Sequence, residues 1–157
     1  MSVNLFAGGE LVPGSTRDGY AHRERELGPS LGAIGWGGTI YELRPGERIC
    51  PYHWHLAEEE WLLVLSGMPT LRAHDGEQQL RPWDVVVFRR GPEGAHEVRN
   101  DTSEALQVLM LSTLSEPEIC VYPDSGKIGA WHKAADGTLT GLRNRPENNI
   151  DYFDGEK

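Results

Sequence analysis

The segment His53-Trp54-His55-Leu56-Ala57-Glu58-Glu59-Glu60 constrains the fold of this chain more than any other stretch. It lies between Pro51-Tyr52 and the strand-like run Trp61-Leu62-Leu63-Val64-Leu65, which stops at Ser66-Gly67. Side chains of an extended strand alternate faces, so His53 and His55 point the same way with about 7 Å of backbone between them. Two imidazoles so placed can converge on one cation. Glu60 lies an odd number of residues from both and cannot share their face on an unbroken strand. A turn or bulge within Leu56 to Glu59 therefore has to reset the phase. The later run Gly94-Ala95-His96-Glu97-Val98-Arg99-Asn100 supplies a third imidazole, His96. A lone surface histidine is ordinarily a solvated side chain, but three imidazoles and a carboxylate in this arrangement are expected to meet at one metal ion.

At 157 residues the chain suits one domain, long enough to bury about two thirds of the surface its unfolded form exposes. A net charge of -9 argues against sequence-independent nucleic-acid binding, which needs basic side chains to replace counterions along the phosphates. No helix-turn-helix candidate stands out, and no nucleic-acid partner is expected. The two cysteines, Cys50 and Cys120, have no metal-binding or redox spacing and read as buried thiols. Met1 to Gly14 has no basic start followed by a long apolar stretch, and no apolar run approaches the length of a membrane span. A cytoplasmic protein without a membrane partner is the expectation.

Nineteen glycines and ten prolines fall between short apolar runs, as turns do in all-β domains. Strands are predicted at Ile34–Leu43, Ile49–His55, Glu60–Ser66, Thr70–His74, Glu77–Leu80, Asp84–Phe88, His96–Asn100 and Leu106–Thr113. Short strands at this spacing suggest a closed barrel or a double-sheet jelly roll. Along the last strand Leu106, Val108, Met110 and Ser112 share one face, and Gln107, Leu109 and Leu111 share the other. That pattern fits a cavity on one side and a second layer, or a partner subunit, on the other, so a homodimer is a candidate. Asp124-Ser125-Gly126-Lys127 reads as a tight turn; it lacks the upstream glycine of a phosphate loop. The tail from Ala134 to Lys157 reads as mostly irregular, with Ile150, Tyr152 and Phe153 available to pin it down.

Gly46, His53, His55, Glu60 and Gly67, followed by Gly91, His96 and Asn100, resemble the two signatures of the cupin superfamily over about residues 40–113. The resemblance implies a double-stranded β-helix, a jelly-roll barrel, at residues 34–114. Residues 1–33 would be an N-terminal extension, and 115–157 a C-terminal extension packing on the barrel. It also implies that His53, His55, Glu60 and His96 are the metal ligands. Trp83 stands where the pattern has glycine before Asp84, which obliges that turn to form without glycine's freedom at positive φ.

A mixed nitrogen and oxygen set suits one divalent Mn, Fe, Co, Ni, Cu or Zn ion, and affinity order does not choose among them. Open coordination positions would admit water, dioxygen or a substrate. Many cupins are dioxygenases, isomerases or decarboxylases on small molecules, so the resemblance implies a mononuclear metal enzyme of dioxygenase or isomerase type acting on a small organic molecule. The alternative is a non-catalytic metal- or ligand-binding protein, such as a sensor. No catalytic residue beyond the ligands is identifiable. Tyr52, Glu58, Arg72, His74, Arg89, Glu97 and Asn100 lie nearby in sequence, but polar residues on strands and turns are ordinary. Glu58 and Glu59 are expected to be solvated at the turn, and Asn100 to be a hydrogen-bonding residue.

Overall fold

Alternating apolar residues along Leu106–Thr113 require that strand to be covered on both faces. A computed structural model, which describes residues 2–7, 9–134, 136 and 138–156, places it at the centre of the main sheet. Numbered along the chain, the strands are β1 (Val12–Pro13), β2 (Arg23–Glu26), β3 (Trp36–Leu43), β4 (Trp54–His55), β5 (Glu60–Ser66), β6 (Thr70–Ala73) and β7 (Gly76–Gln79). They continue as β8 (Val85–Phe88), β9 (His96–Arg99), β10 (Leu106–Thr113), β11 (Glu118–Tyr122), β12 (Lys127–Lys133) and β13 (Leu139–Asn144). One helical turn, α1 (Gly28–Leu31), precedes β3. A six-stranded antiparallel sheet runs in the order β1-β2-β3-β10-β5-β8, a four-stranded sheet β13-β12-β11-β4, and a three-stranded sheet β7-β6-β9. The fold is all-β, and no described helix is long and apolar enough to cross a membrane.

The core lies between sheets. Leu43, Leu62, Val64, Leu106, Val108 and Met110 of the six-stranded sheet cluster with Leu71 and Val98 of the three-stranded one, closed by Leu80 and Phe88. The opposite face of β10 buries Leu109 against Ile40 and Leu27, with Val3, Leu5 and Leu11 packed over them. The second layer on that face is thus the chain's own N-terminal segment.

The segment 48–55 joins the two smaller sheets. Arg48 bridges to Arg99 and His53 to His96 on one side, while His55 and Trp54 pair with Cys120 and Val121 on the other. Only Trp54 and His55 form a regular strand there, because Pro51 has no N–H to donate to a ladder. The predicted strand Ile49–His55 is shorter for that reason. The bend at Leu56 and Ala57 supplies the expected change of phase before Glu60. The strands β5 and β10 have the predicted bounds, while β3 starts two residues late, leaving Ile34 93% exposed.

Five strands lie outside the predicted set. β1 and β2 lie within an N-terminal segment whose charged Arg-Glu-Arg-Glu run has no apolar alternation; pairing with β3 holds it extended. β11 and β12 form a hairpin about the Asp124-Ser125-Gly126-Lys127 turn, and β13 pairs with β12 along six residues. The tail is therefore partly strand. Ile150, Tyr152 and Phe153 are 70%, 87% and 70% exposed and do not pin it.

The turn before β8 carries backbone strain. Pro82 and Trp83 occupy its centre, Asp84 N–H donates to the Arg81 carbonyl at 3.0 Å, and Trp83 has φ +77°. A turn with proline then positive φ favours glycine at the second central position. Trp83 accepts the strain while its ring rests 5.3 Å from that of Phe6. Both Trp83→Ala and Trp83→Gly lose this ring contact, but only glycine relieves the left-handed conformation. The glycine variant should be more stable than the alanine variant by about 1 kcal/mol, reversing the usual order, as measured by denaturant unfolding; equal stabilities would contradict the strained geometry.

Candidate metal centre

His53 and His96 exchange both backbone hydrogen bonds, at 3.1 and 2.9 Å, which sets their side chains on the same face of the sheet. His55 lies on that face two residues on, with its carbonyl accepting from Gly91 N–H at 2.8 Å. Glu60 comes from β5, where it pairs across the ladder with Phe88. Phe88 in turn stacks on the His96 ring, with centroids 3.7 Å apart and planes 7° from parallel. All three histidines are buried, and the Glu60 side chain is 15% exposed.

The outer nitrogen of each ring is held by an acceptor. Nδ1–H of His53 donates to the Pro51 carbonyl at 2.9 Å, that of His96 to the Gly94 carbonyl at 2.9 Å, and that of His55 to Glu118 Oε1 at 3.2 Å. With Nδ1 carrying the hydrogen, each neutral ring turns an Nε2 lone pair inward, the arrangement that orients metal-binding imidazoles. The inward atoms converge. His53 and His55 Nε2 are 2.9 Å apart, and Glu60 Oε2 is 3.1 Å from both His55 and His96 Nε2 and 4.0 Å from His53 Nε2.

Donor atoms each about 2.1 Å from one ion stand about 3.0 Å apart at a right angle and about 3.4 Å apart at a tetrahedral one. The spacing of these four atoms fits a common ion. Glu60 Oε2 and His96 Nε2 are moreover buried with no hydrogen-bond partner, an unusual expense unless something shared lies between them. The residues therefore fit a divalent metal.

Without an ion, the same atoms hold a proton. Burial, then the neighbouring rings of His96 and His55, lower the pKa of His53 to about 3. Burial also opposes charge on His55, but Cys120 and Glu60 outweigh it and raise the pKa to about 11. Burial would raise Glu60, yet the close approach of the His55 and His96 rings holds it well below the usual carboxylate range. The proton thus sits on His55 Nε2, between His53 Nε2 and Glu60 Oε2.

All four expected residues, His53, His55, Glu60 and His96, come together. Around His55 and His53 stand three groups that sequence reasoning missed or left unassigned. Cys120 Sγ is 3.1 Å from His55 Nδ1, Glu118 is fully buried, and the Tyr122 ring stacks 5.9 Å from His53. Glu118, Cys120 and Tyr122 alternate with Ile119 and Val121, so one face of β11 is turned to the histidines. That period-two pattern was the available signal.

Glu58 is not solvated as expected: its side chain is 13% exposed and accepts from Ser115 N–H at 3.0 Å. Glu59 accepts from the Trp61 indole at 3.0 Å. Asn100 is fully buried and donates to the Leu43 and Glu104 carbonyls, a structural bonding role. Arg72 pairs with Asp124 above the Tyr52 ring, and Glu97 pairs with Arg48. These groups are committed to one another rather than to the cluster.

A cavity of about 360 Å³ reaches Glu60, walled by Trp36, Thr39, Tyr41, Met110 and Ser112. Burial, and then the charge of Glu24, keep the Tyr41 phenol protonated far above neutrality. It can donate a hydrogen bond beside Glu60.

Residues 39–112 match the family model described as Cupin domain. Among solved structures, a protein provisionally described as a sugar phosphate isomerase from Acidithiobacillus ferrooxidans is 27% identical, with TM-score 0.69 over 79% of this chain and 77% of that one. A cupin-superfamily sugar phosphate isomerase from Silicibacter pomeroyi is 23% identical, with TM-score 0.76 over 92% and 93%. The polyketide cyclase RemF of Streptomyces resistomycificus is 19% identical, with TM-score 0.58 over 75% and 83%. The last two likenesses are likenesses of fold. No curated protein matches the chain significantly.

In metal-free protein, nitrogen-15 spectra of the imidazoles should show His53 neutral at pH 5, where an ordinary histidine of pKa 6.5 is mostly charged. His55 should remain protonated at pH 8. The opposite assignment, or two ordinary titrations near pH 6.5, would contradict the shared-proton arrangement.

Proposed function

Because the chain belongs to the cupin superfamily through residues 39–112, we propose that it is a mononuclear metal enzyme of isomerase type acting on a small polar organic molecule. The observation that carries this reading is the convergence of His53, His55 and His96 Nε2 with Glu60 Oε2 at the foot of a cavity large enough for a sugar-sized ligand. Those four residues would hold one divalent ion. Such an ion supplies Lewis-acid polarisation of a substrate oxygen.

The remaining work falls to the chain. Glu118, Pro51 and Gly94 keep the rings in the inward-facing tautomer. Phe88 and Met110 exclude water from the inner wall, and the Tyr41 hydroxyl is placed to donate to a substrate oxygen beside Glu60. Proton transfer next to a carbonyl is preferred to oxygen chemistry because the sugar phosphate isomerase similarity includes a 27% identical protein. A dioxygenase remains the second enzymatic form of this reading. A binding or sensing role is favoured by one observation: beyond the cluster, the ionisable groups lining the cavity are Tyr41, Glu26 and Lys133, and the last already faces Glu116.

Elemental analysis should find about one divalent ion per chain, with affinity falling as pH drops because protons compete for the imidazoles. His55→Ala and His96→Ala should lose the ion while keeping the β-sheet circular dichroism. Glu118→Ala, which leaves all four ligands, should weaken metal affinity by about 10- to 100-fold. Equal metal content in all these proteins would defeat the proposed site.

The reaction is tested by incubating metal-loaded protein with aldose and ketose phosphates in deuterated water. Isomerase chemistry exchanges the hydrogen next to the carbonyl, whereas a dioxygenase consumes oxygen. Neither response, together with saturable ligand binding, would support the sensor.

A further inference from the structure

A second cavity, about 600 Å³ in volume, shares no lining residue with the first. Its wall carries Arg17, Arg48, Lys127 and Arg143 against only two carboxylates, Glu97 and Asp124. Both carboxylates are already engaged, Glu97 with Arg48 at 3.3 Å and Asp124 with both terminal nitrogens of Arg72 at 2.6 and 2.9 Å. Among the described residues, no carboxylate is in ion-pair contact with Arg17, Lys127 or Arg143. The chain as a whole has a net charge of -9, so an uncompensated cationic cavity is a local inversion of its electrostatics.

The cations are gathered by the fold rather than scattered. Lys127 opens β12 directly after the hairpin turn, Arg143 lies on β13 opposite Gly129, and Arg17 comes from the N-terminal segment. Lys127 is half-buried, with Nζ 4.1 Å from the centroid of the Tyr122 ring and donating to Ser125 Oγ at 2.9 Å. Arg145 stands beside it, donating to the Ser125 carbonyl at 3.2 Å. Burial and the charges of Arg145, Arg143 and Arg17 together depress the proton affinity of Lys127, the signature of like charges held together. Ser15, Ser125, Tyr20 and Tyr52 add hydroxyl donors on the same wall. Guanidinium and ammonium groups backed by hydroxyls suit oxyanions, to which charge-assisted hydrogen bonds are the strong ones.

We propose that this cavity is a binding site for an anionic small molecule bearing a phosphate or clustered carboxylates, held by Arg17, Lys127 and Arg143. The site is separate from the four-residue cluster and requires no metal. Two of its lining residues contact His53 directly, Pro51 through the carbonyl that accepts from Nδ1–H at 2.9 Å and Cys50 through Sγ at 3.5 Å. Tyr122 touches Lys127 on one side and stacks on His53 at 5.9 Å on the other, so occupancy is placed to be sensed there.

The test is calorimetric titration of the full-length protein with inorganic phosphate and, separately, citrate, at low salt. Phosphate or citrate should bind saturably at one site per chain, and the tighter of the two identifies the ligand's anionic group. Lys127→Gln and Arg143→Gln should each weaken that binding by about tenfold, and the double variant should abolish it. Arg90→Gln, which removes a surface cation outside the cavity, should bind like the wild type, as should His96→Ala. The last variant separates this proposal from the metal reading, since it impairs the cluster alone. Unchanged melting temperatures establish that the variants are folded. Absence of saturable binding by both anions, or binding that survives the double variant, would overturn the proposal.

Discussion

The candidate site depends on three hydrogen bonds made on the far side of its histidines. Each imidazole has two nitrogens, and which one carries the hydrogen is decided by the partner of the other. Carbonyls at Pro51 and Gly94 and the carboxylate of Glu118 claim the Nδ1 hydrogens, so three lone pairs are turned toward one point. Backbone carbonyls cannot swing away as side chains can. Two of the three rings are therefore oriented by the chain path itself, and the reciprocal His53–His96 hydrogen bonds fix their separation.

The fourth group arrives from a different sheet, and this ties the site to the core. Glu60 is the first residue of β5, whose next inward residues, Leu62 and Val64, are fully buried core. Packing Leu62 and Val64 against β10 leaves Glu60 no choice but to face inward. Its cross-strand neighbour Phe88 lies flat against His96, filling the space beneath the ring with apolar surface. A buried carboxylate would ordinarily be costly, but its contacts with His55 and His96 hold it ionised. The neutral-ring cluster carries one negative charge, which the proton on His55 cancels. The fold can thus bury these groups without a bound ion.

Much of this was legible from residue order, and the exceptions have physical causes. The strands Glu60–Ser66 and Leu106–Thr113 were readable to the residue because their apolar content is high and bounded by turn chemistry. That the side chains of His53, His55 and Glu60 would meet was readable because the two histidines, two residues apart, share a strand face and the residues between them and Glu60 had to bend. Glu118 escaped notice, and Cys120 was read only as the buried thiol it is, because their approach to His55 depends on β4–β11 pairing across more than sixty residues, which local pattern does not encode. The charged strand β2 was hidden for a related reason: its extension comes from β3, not from its own side chains. At Trp83 the sequence departs from the expected glycine, and the chain keeps the turn instead of the comfortable backbone, since that turn aligns β8 and hence Phe88.

The same topology explains why one small domain can present two chemically opposite cavities. The inward residues of β3, β5 and β10 surround Glu60 with Tyr41, Met110 and Ser112, which are apolar or neutral, and the same cavity carries one acidic and one basic residue more, Glu26 and Lys133. The hairpin β11–β12 and its neighbour β13 carry their cations instead at the turn end, where Lys127, Arg143 and Arg145 meet Arg17 from the opposite terminus of the chain. Strand β11 belongs to both environments. Its face presents Glu118 and Cys120 to His55, and one step of the same alternation later it presents Tyr122 between His53 and Lys127. A shift of the hairpin that followed a change at Lys127 would have to move Tyr122, and the pairing of Cys120 with His55 would carry that movement to the ring whose orientation Glu118 sets. The strand is thus one mechanical path between the two environments.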